Sequence, residues 1–202
     1  MIKKYEKISN QKGRSMLELM AVLLILSIMT MMGVKAFPML MNKYERQKLL
    51  EQVVSLANDI RAFHSNIGHY KGLNNESAIA YSLVSPAMLN GDNYTIEHAK
   101  RGNLIISVPS GLPSPIVEST IFEIKITKLN RENCMSLALQ DLKSTLSDVY
   151  RIGIGSASGA FTYYNVSDLD KNITIDEISQ KCDCDPKDDN ISHTCAIVMS
   201  FY

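Results

Sequence analysis

An uninterrupted apolar segment near the N-terminus is the strongest constraint on the fold of this chain. Residues 19–34 read LMAVLLILSIMTMMGV, in which two hydroxyl side chains and a glycine are the only interruptions. As a helix this segment is about 24 Å long, and the stretch from Met16 to Phe37 can cross the roughly 30 Å hydrocarbon core of a membrane. Lys35 lies inside that stretch and would extend its ammonium group outward. The pattern therefore predicts a membrane-spanning helix.

The charges in front of this helix predict its orientation. Residues 1–13 contain four lysines and one glutamate, a net charge of +3, and Arg14 adds a fifth cation. Positive charge is retained on the cytoplasmic side of a membrane. We therefore expect a cytoplasmic N-terminus and an exported C-terminal part.

A secretory signal peptide is the competing interpretation, since it also has a basic region and an apolar core. Two features disfavour it. The sequence after the apolar run, Val34-Lys35-Ala36-Phe37, has no A-x-A cleavage pattern, and Glu18 places a carboxylate at the front of the run.

The remainder of the chain has the composition of an exported globular domain. Without residues 1–13 the chain would have 17 basic and 20 acidic residues, a net charge of −3. Binding to nucleic acid requires a basic face, so nucleic acid is not expected as the main partner.

The apolar helix is predicted to continue as an amphipathic one. From Tyr44 onward, apolar residues recur at spacings of three and four, which is typical of a helix that packs one face on a core; they are Leu49, Leu50, Val53, Val54, Leu56, Ala57, Ile60 and Phe63. Pro38 should kink the helix, and Gly68 should cap its end. One helix is therefore expected from about Ser15 to about Asn66.

The rest of the sequence predicts short strands and helices. Strands are expected at 103–108, 120–127, 161–166 and 194–202, the last apolar enough to be central. Helices are expected near 77–85, 130–148 and 176–180, and a glycine and serine loop at 153–159. The fold class is therefore α+β, with a long N-terminal helix, membrane-spanning in its first half, packed on an antiparallel sheet.

The four cysteines, Cys134, Cys182, Cys184 and Cys195, predict disulfide bonds if the domain is exported. Four thiols permit three complete pairings, and the spacing does not choose among them. A zinc site is disfavoured because Cys-Asp-Cys has one spacer residue where zinc motifs have two to four.

Glu18 needs a cation, because a lone carboxylate at the head of a membrane helix is costly. A cut after Gly13 would create an α-amine on Arg14, one helical turn away. That amine could pair with Glu18 of the same chain or of a neighbouring subunit. In an apolar helix bundle such a pair fixes register more than it adds stability. The alternative is a membrane anchor with an incidental interfacial glutamate.

Gly13, followed five residues later by Glu18 and then by an apolar run, resembles the prepilin cleavage and methylation signal of type IV pilins and their pseudopilin relatives. The resemblance implies cleavage after Gly13 by an inner-membrane prepilin peptidase and N-methylation of Arg14, where the family usually has an apolar residue. It also implies that Glu18 docks subunits whose helices form a filament core. The domains would be a leader at 1–13, a transmembrane and polymerisation segment at 14–43 and an exported domain at 44–202.

The C-terminal part resembles the type IVb pilins, in a strand at Phe122–Thr127 followed by a helix that carries Cys134. The resemblance implies a disulfide bond between Cys134 and Cys182, and we expect Cys184 and Cys195 to close a second, smaller loop. The expected function is a structural subunit of a pilus. The precursor would lie in the bacterial inner membrane with its assembly machinery, and the mature form in an extracellular homopolymer.

Two other classes of function stay open. A minor pilin or a type II secretion pseudopilin would share these features, and a membrane-anchored receptor or enzyme is disfavoured because no catalytic motif occurs. We expect no cofactor. Asp168, Asp170, Asn172 and Asp176 alternate like the ligands of a calcium loop, but Ile173 replaces the turn glycine and Ser179 the final glutamate.

Overall fold

The protein is described by a computed structural model that covers residues 9–91, 94–110, 118–140, 149–156, 160–166, 174–184 and 194–202. The chain divides into two compact units, Met1–Tyr44 and Glu45–Tyr202. The first consists of helix in its described part, and the second contains the sheet and the hydrophobic core.

The long helix α1 spans Ser9–His64 and continues through Pro38. It begins before the predicted Ser15 and ends two residues before the predicted Asn66. At its end, the N–H groups of Ile67 and Gly68 donate to the carbonyl oxygen of His64 at 2.9 and 3.1 Å. Gly68 has a φ of +74°, the left-handed conformation that glycine adopts without steric cost.

The C-terminal part of α1 buries the predicted apolar stripe. Leu49, Val53, Leu56 and Ile60 are buried in the core, as are the neighbouring Leu50 and Ala57. Phe63, the last predicted member, remains 38% exposed and stacks on Tyr81 with ring centroids 4.6 Å apart. The 3.6-residue period thus predicted most of the buried face correctly, while Val54 packs half-buried against the core and Phe63 in the last turn stays exposed.

The described strands form one antiparallel sheet in the order β1-β2-β3-β6-β4-β5. Their bounds are β1 Ile96–Glu97, β2 Asn103–Ser107, β3 Phe122–Leu129, β4 Val149–Ser156, β5 Thr162–Asn165 and β6 Cys195–Phe201. The fold class is therefore α+β, as predicted, with one long helix and an antiparallel sheet.

Strand β6 is central, as its apolar composition predicted, and both of its faces are buried. Ile197, Met199 and Phe201 face the main core, while Val198 and Ser200 alternate with them on the opposite face. A strand covered on both faces must be apolar nearly throughout, which explains the composition of the C-terminal segment.

Three short α-helices lie in the described part of the second unit, α2 at Asn75–Ala80, α3 at Arg131–Ala138 and α4 at Ile175–Lys181. Side-chain oxygens of Asn74, Asn130 and Thr174 accept hydrogen bonds from the first turn of the helix that follows each of them. Asn130 was one of the two caps predicted for α3.

Helix α3 is shorter than the predicted 130–148. It ends at Ala138, and Leu139, predicted as an apolar contact, is 47% exposed. The last part of the predicted helix, 141–148, lies outside the described residues.

The predicted loop at 153–159 is wrong in its first half, because β4 extends to Ser156. Ile152 and Ile154 bury their side chains in the core. Gly153 lies between them on the other face, where a Cβ atom would stand 2.8 Å from the ring of Tyr163. Glycine is favoured here because an aromatic ring lies against the backbone, so its presence does not indicate a turn.

Candidate assembly site

The first part of α1 presents apolar side chains to solvent. The exposed fractions range from 39% at Met41 to 73% at Val34. The large apolar side chains that are exposed in the described part of this segment are Met16, Leu17, Leu19, Met20, Val22, Leu23, Leu24, Ile25, Leu26, Ile28, Met29, Met31, Val34, Phe37, Met39, Leu40, Met41 and Tyr44. A patch of this size marks a membrane or protein contact.

The hydroxyl groups inside this segment bond to the helix itself. Ser27 Oγ donates to the carbonyl oxygen of Leu24 at 2.7 Å, and Thr30 Oγ1 lies 2.9 and 3.0 Å from the carbonyl oxygens of Ser27 and Leu26. These hydroxyl groups would therefore have an acceptor for their hydrogen in an apolar environment as well. Among the described residues, one helix is long and apolar enough to span a membrane, and it is α1.

The residues predicted for cleavage and docking lie at the start of the same helix. Glu18 is exposed, so its carboxylate is accessible. Gly13 and Arg14 belong to α1, and Arg14 precedes Glu18 by one helical turn. The described part of the chain thus places the predicted docking carboxylate at the head of the exposed apolar segment.

Two ion pairs hold α1 at the start of the second unit. Glu45 Oε2 accepts from Lys100 Nζ at 2.8 Å, and the Lys100 side chain is only 8% exposed. The next residue, Arg46, lies 3.3 Å from Glu132 Oε1 and donates to the Ser136 hydroxyl group on α3. Sequence reasoning missed both pairs, because the charge pattern of α1 does not identify their partners.

Two disulfide bonds fasten α4 and the chain that follows it. Cys134 on α3 is bonded to Cys182 at the end of α4, with Cα atoms 5.8 Å apart, and both are fully buried. Cys184 is bonded to Cys195, the first residue of β6, with Cα atoms 5.3 Å apart. Cys182, Asp183 and Cys184 thus join α3 and the sheet through one three-residue segment.

A charged network lies on the sheet face opposite the main core. Glu123 Oε1 accepts from Arg151 Nη2 at 3.0 Å and from the Ser200 hydroxyl group at 2.7 Å. Arg151 also lies over the ring of Tyr163, 4.0 Å from its centroid. Burial raises the pKa of Tyr163, and the nearby Glu123 carboxylate raises it further. Because Glu123, Ser200 and Arg151 are cross-strand partners, the network links β3, β6 and β4.

A second tyrosine links the sheet edge to α4. Tyr164 on β5 donates to Glu177 Oε1 at 3.0 Å. Burial and this hydrogen bond raise the pKa of Tyr164 to about 12. The phenol therefore stays protonated and continues to donate throughout the neutral range.

The calcium-loop candidate is only partly described. Asp168, Asp170 and Asn172 lie outside the described residues, and Asp176 lies in the first turn of α4. Within the described ranges, no group of three or more His, Cys, Asp or Glu side chains could hold a metal ion.

Comparison with known proteins gives a matching family and several similar solved structures, two of which are described here. A family model described as PilS N terminal matches residues 43–196. The type IVb pilin from Salmonella typhi is similar at 15% identity and a TM-score of 0.47, over 75% of this chain and 95% of that one. TcpA, a type IV pilin from Vibrio cholerae El Tor biotype, is similar at 15% identity and a TM-score of 0.44, over 78% of this chain and 98% of that one. No curated protein matches the sequence.

Proposed function

This chain belongs to the PilS N-terminal family of type IV pilins, and on that premise we propose that it is a structural subunit of a IVb-like pilus. In the proposed pathway, prepilin peptidase removes residues 1–13 by cutting after Gly13. Residues 14–43 anchor the precursor in the inner membrane and then form the core of the filament. Residues 44–202 are the exported domain on its outside.

The observation that carries this proposal is the contrast between the two parts of one helix. From Met16 to Tyr44 the large apolar side chains that the structure describes on α1 are exposed, whereas from Leu49 to Ile60 its apolar face is buried. Leaving apolar surface in water costs about 25 cal/mol for each Å². Lipid would cover the exposed part in the precursor, and the helices of other subunits would cover it in the filament.

Glu18 has the decisive role in this mechanism. The Arg14 amine formed by cleavage would be methylated, and Glu18 of an incoming subunit would pair with that amine on its neighbour. Since charges are poorly solvated among apolar helices, an unpaired Glu18 would be unfavourable. Subunits would therefore dock in the register that brings the two charges together.

The first experiment measures the intact mass of the mature protein. Loss of residues 1–13 together with the gain of one methyl group is the expected result. An intact N-terminus would overturn the proposed processing.

The second experiment tests docking with a matched pair of variants. Glu18→Ala should prevent or strongly reduce filament formation while the exported domain remains folded with both disulfide bonds. Glu51→Ala removes an exposed carboxylate from the same helix, within the second unit, and should leave assembly unchanged. Normal filaments from Glu18→Ala would contradict the mechanism.

The amount of the chain in sheared surface filaments distinguishes a major subunit from its relatives. A major pilin should be the principal protein of the filament. Recovery in trace amounts would favour the alternative of a minor pilin or secretion pseudopilin.

A further inference from the structure

A buried histidine lies at the start of the turn between β1 and β2, and this turn contacts α1 through Ala99 and Lys100. His98 is 3% exposed and follows β1 directly. It opens the tight turn 98–102, which is closed by hydrogen bonds from His98 N to the carbonyl oxygen of Gly102 at 2.9 Å and from Arg101 N to that of His98 at 2.8 Å.

Both ring nitrogens of His98 are engaged, which fixes the tautomer of the neutral ring. Nε2 lies 2.9 Å from the carbonyl oxygen of Thr127, so Nε2 carries the hydrogen and donates it. Nδ1 accepts a hydrogen bond from the backbone N–H of Lys100 at 3.1 Å. A second proton on the ring would reside on Nδ1, where it would face the Lys100 N–H, and that hydrogen bond would be lost.

The turn that His98 organises is attached to α1 by the two residues that follow. The backbone N–H of Ala99 donates to Gln52 Oε1 at 2.8 Å, and the ammonium group of Lys100 lies 2.8 Å from Glu45. The ring of His98 thus supports the backbone from which both attachments to α1 arise.

The backbone on both sides of the ring is strained. Arg101 in the turn and Lys128, next to the carbonyl group that His98 binds, have φ values of 58° and 57°. Such left-handed conformations cost non-glycine residues about 1 kcal/mol or more and persist only where neighbouring contacts enforce them. The pairing of β3 with β6 also shifts register between Ile126 and Leu129, in the segment that contains Thr127 and Lys128.

The charges around the ring disfavour its protonation. Burial lowers the pKa of His98 below its ordinary 6.5, the Thr127 hydrogen bond partly opposes this, and the cations Lys128 and Lys100 lower it further. The neighbouring carboxylates already have partners, since Glu45 binds Lys100 and Glu97 accepts from Asn90.

We propose that His98 is an acid-sensitive latch that holds the turn 98–102 against α1 at Glu45 and Gln52, and that protonation of its ring releases the turn. The direction of the pH dependence follows from the coupling between protonation of His98 and closure of the turn. Because the closed state disfavours the proton, closure is fully stabilised above about pH 6.5 and is lost as the pH falls toward the lower pKa of the closed state. The latch does not depend on the pilus function, so either proposal can fail alone.

The test is hydrogen exchange on the full chain in detergent micelles, with rates corrected for the pH dependence of intrinsic exchange. Between about pH 7.5 and 5, protection of the Ala99 and Lys100 amides should fall by up to tenfold per unit below the ordinary pKa. Unchanged protection over this range would overturn the latch.

Two histidine variants separate the latch from general acid sensitivity. His98→Gln, which gains no charge, should remove the pH dependence. His69→Gln is the matched control, because Nδ1 of His69 also accepts from the backbone N–H two residues on, at Lys71, but its ring is exposed. It should keep the native response, and a native response in His98→Gln would overturn the proposal.

If His98→Gln does not fold, a titration of the native chain tests the latch instead. The ring proton signals of His98 should titrate with a midpoint below 6.5, in step with the loss of amide protection. A midpoint at or above that value would contradict the latch. Glu45→Gln should lower protection of the same amides at every pH and preserve the slope, since it removes an attachment but not the titrating group.

Discussion

At the scale of single residues, the Glu123–Arg151 pair stabilises the outer face of the sheet, and its removal should be costly. The two side chains are only 9% and 14% exposed. Arg151→Met would leave Glu123 buried among β3, β6 and β4 without its cation, and removing one partner of a buried pair typically costs about 3–5 kcal/mol. We expect the free energy of unfolding to fall by roughly 1–4 kcal/mol, toward the upper end of that range, since some solvent reaches both groups. Denaturant unfolding of the disulfide-intact protein measures it.

The exposed ion pair of Arg131 is the matched control for that change. Arg131 lies 3.5 Å from Asp183, and the two side chains are 51% and 73% exposed. Arg131→Met should therefore cost less than about 1 kcal/mol. If the two arginine variants lose the same free energy of unfolding, then burial does not explain the contribution of the Glu123–Arg151 pair.

At the scale of secondary-structure elements, the pairing of β4 with its neighbours depends on Gly155. A Cβ atom at this position would stand 2.7 Å from the carbonyl oxygen of Ala160, a backbone atom that has no rotamer in which to move away. Gly155→Ala should lower the free energy of unfolding by about 1–3 kcal/mol, which is the usual effect of overpacking a core site. Gly91→Ala should leave the free energy of unfolding nearly unchanged, because no atom of the described residues lies within 4 Å of the added Cβ. Thermal unfolding of both variants tests the difference.

The same glycines show why one strand could not be predicted from local sequence. In residues 149–156, isoleucine alternates with glycine, and two glycines close to a serine-rich segment normally indicate a loop. What makes the segment a strand is non-local, since β6 pairs along it and Tyr163 fills the space above Gly153. By contrast, α1 and β6 were predictable because continuous apolar or 3.6-residue patterns are properties of the segment itself.

The two disulfide bonds should differ in what their removal costs. They close loops with sequence separations of 48 and 11 residues, for which the loss of chain entropy in the unfolded state corresponds to about 4 and about 3 kcal/mol. Replacing Cys134 and Cys182 by alanine should therefore destabilise the domain more, and it also removes two fully buried side chains from the core. Unfolding of the two double variants under non-reducing conditions should give this order, and the reverse order would contradict the chain-entropy account.

At the scale of the whole molecule, the site could be predicted only as far as its residues are adjacent in sequence. Glu18 and the apolar run of α1 could be recognised because they are adjacent in the sequence. The ion pairs of Glu45 and Arg46 could not, because they join residues that are 55 and 86 positions apart. The order of the strands is likewise set by long-range pairing, with β6 inserted between β3 and β4. Local sequence patterns predicted the long helix and the antiparallel sheet, but the order of the strands is determined by pairing between distant segments.

The division of the chain at Tyr44 predicts that the second unit folds without the first. The unit Glu45–Tyr202 contains the ion pairs of Glu45 with Lys100 and of Arg46 with Glu132, and the core that starts at Leu49. A fragment beginning at Glu45 and produced in an oxidising compartment should therefore be monomeric, with one cooperative unfolding transition in circular dichroism. A fragment of residues 66–202 is the control, because it lacks the buried stripe of α1, and each lost core side chain would cost about 2–5 kcal/mol against a total stability of about 5–15 kcal/mol. It should fail to fold, and a native-like transition there would show that α1 is dispensable for the core.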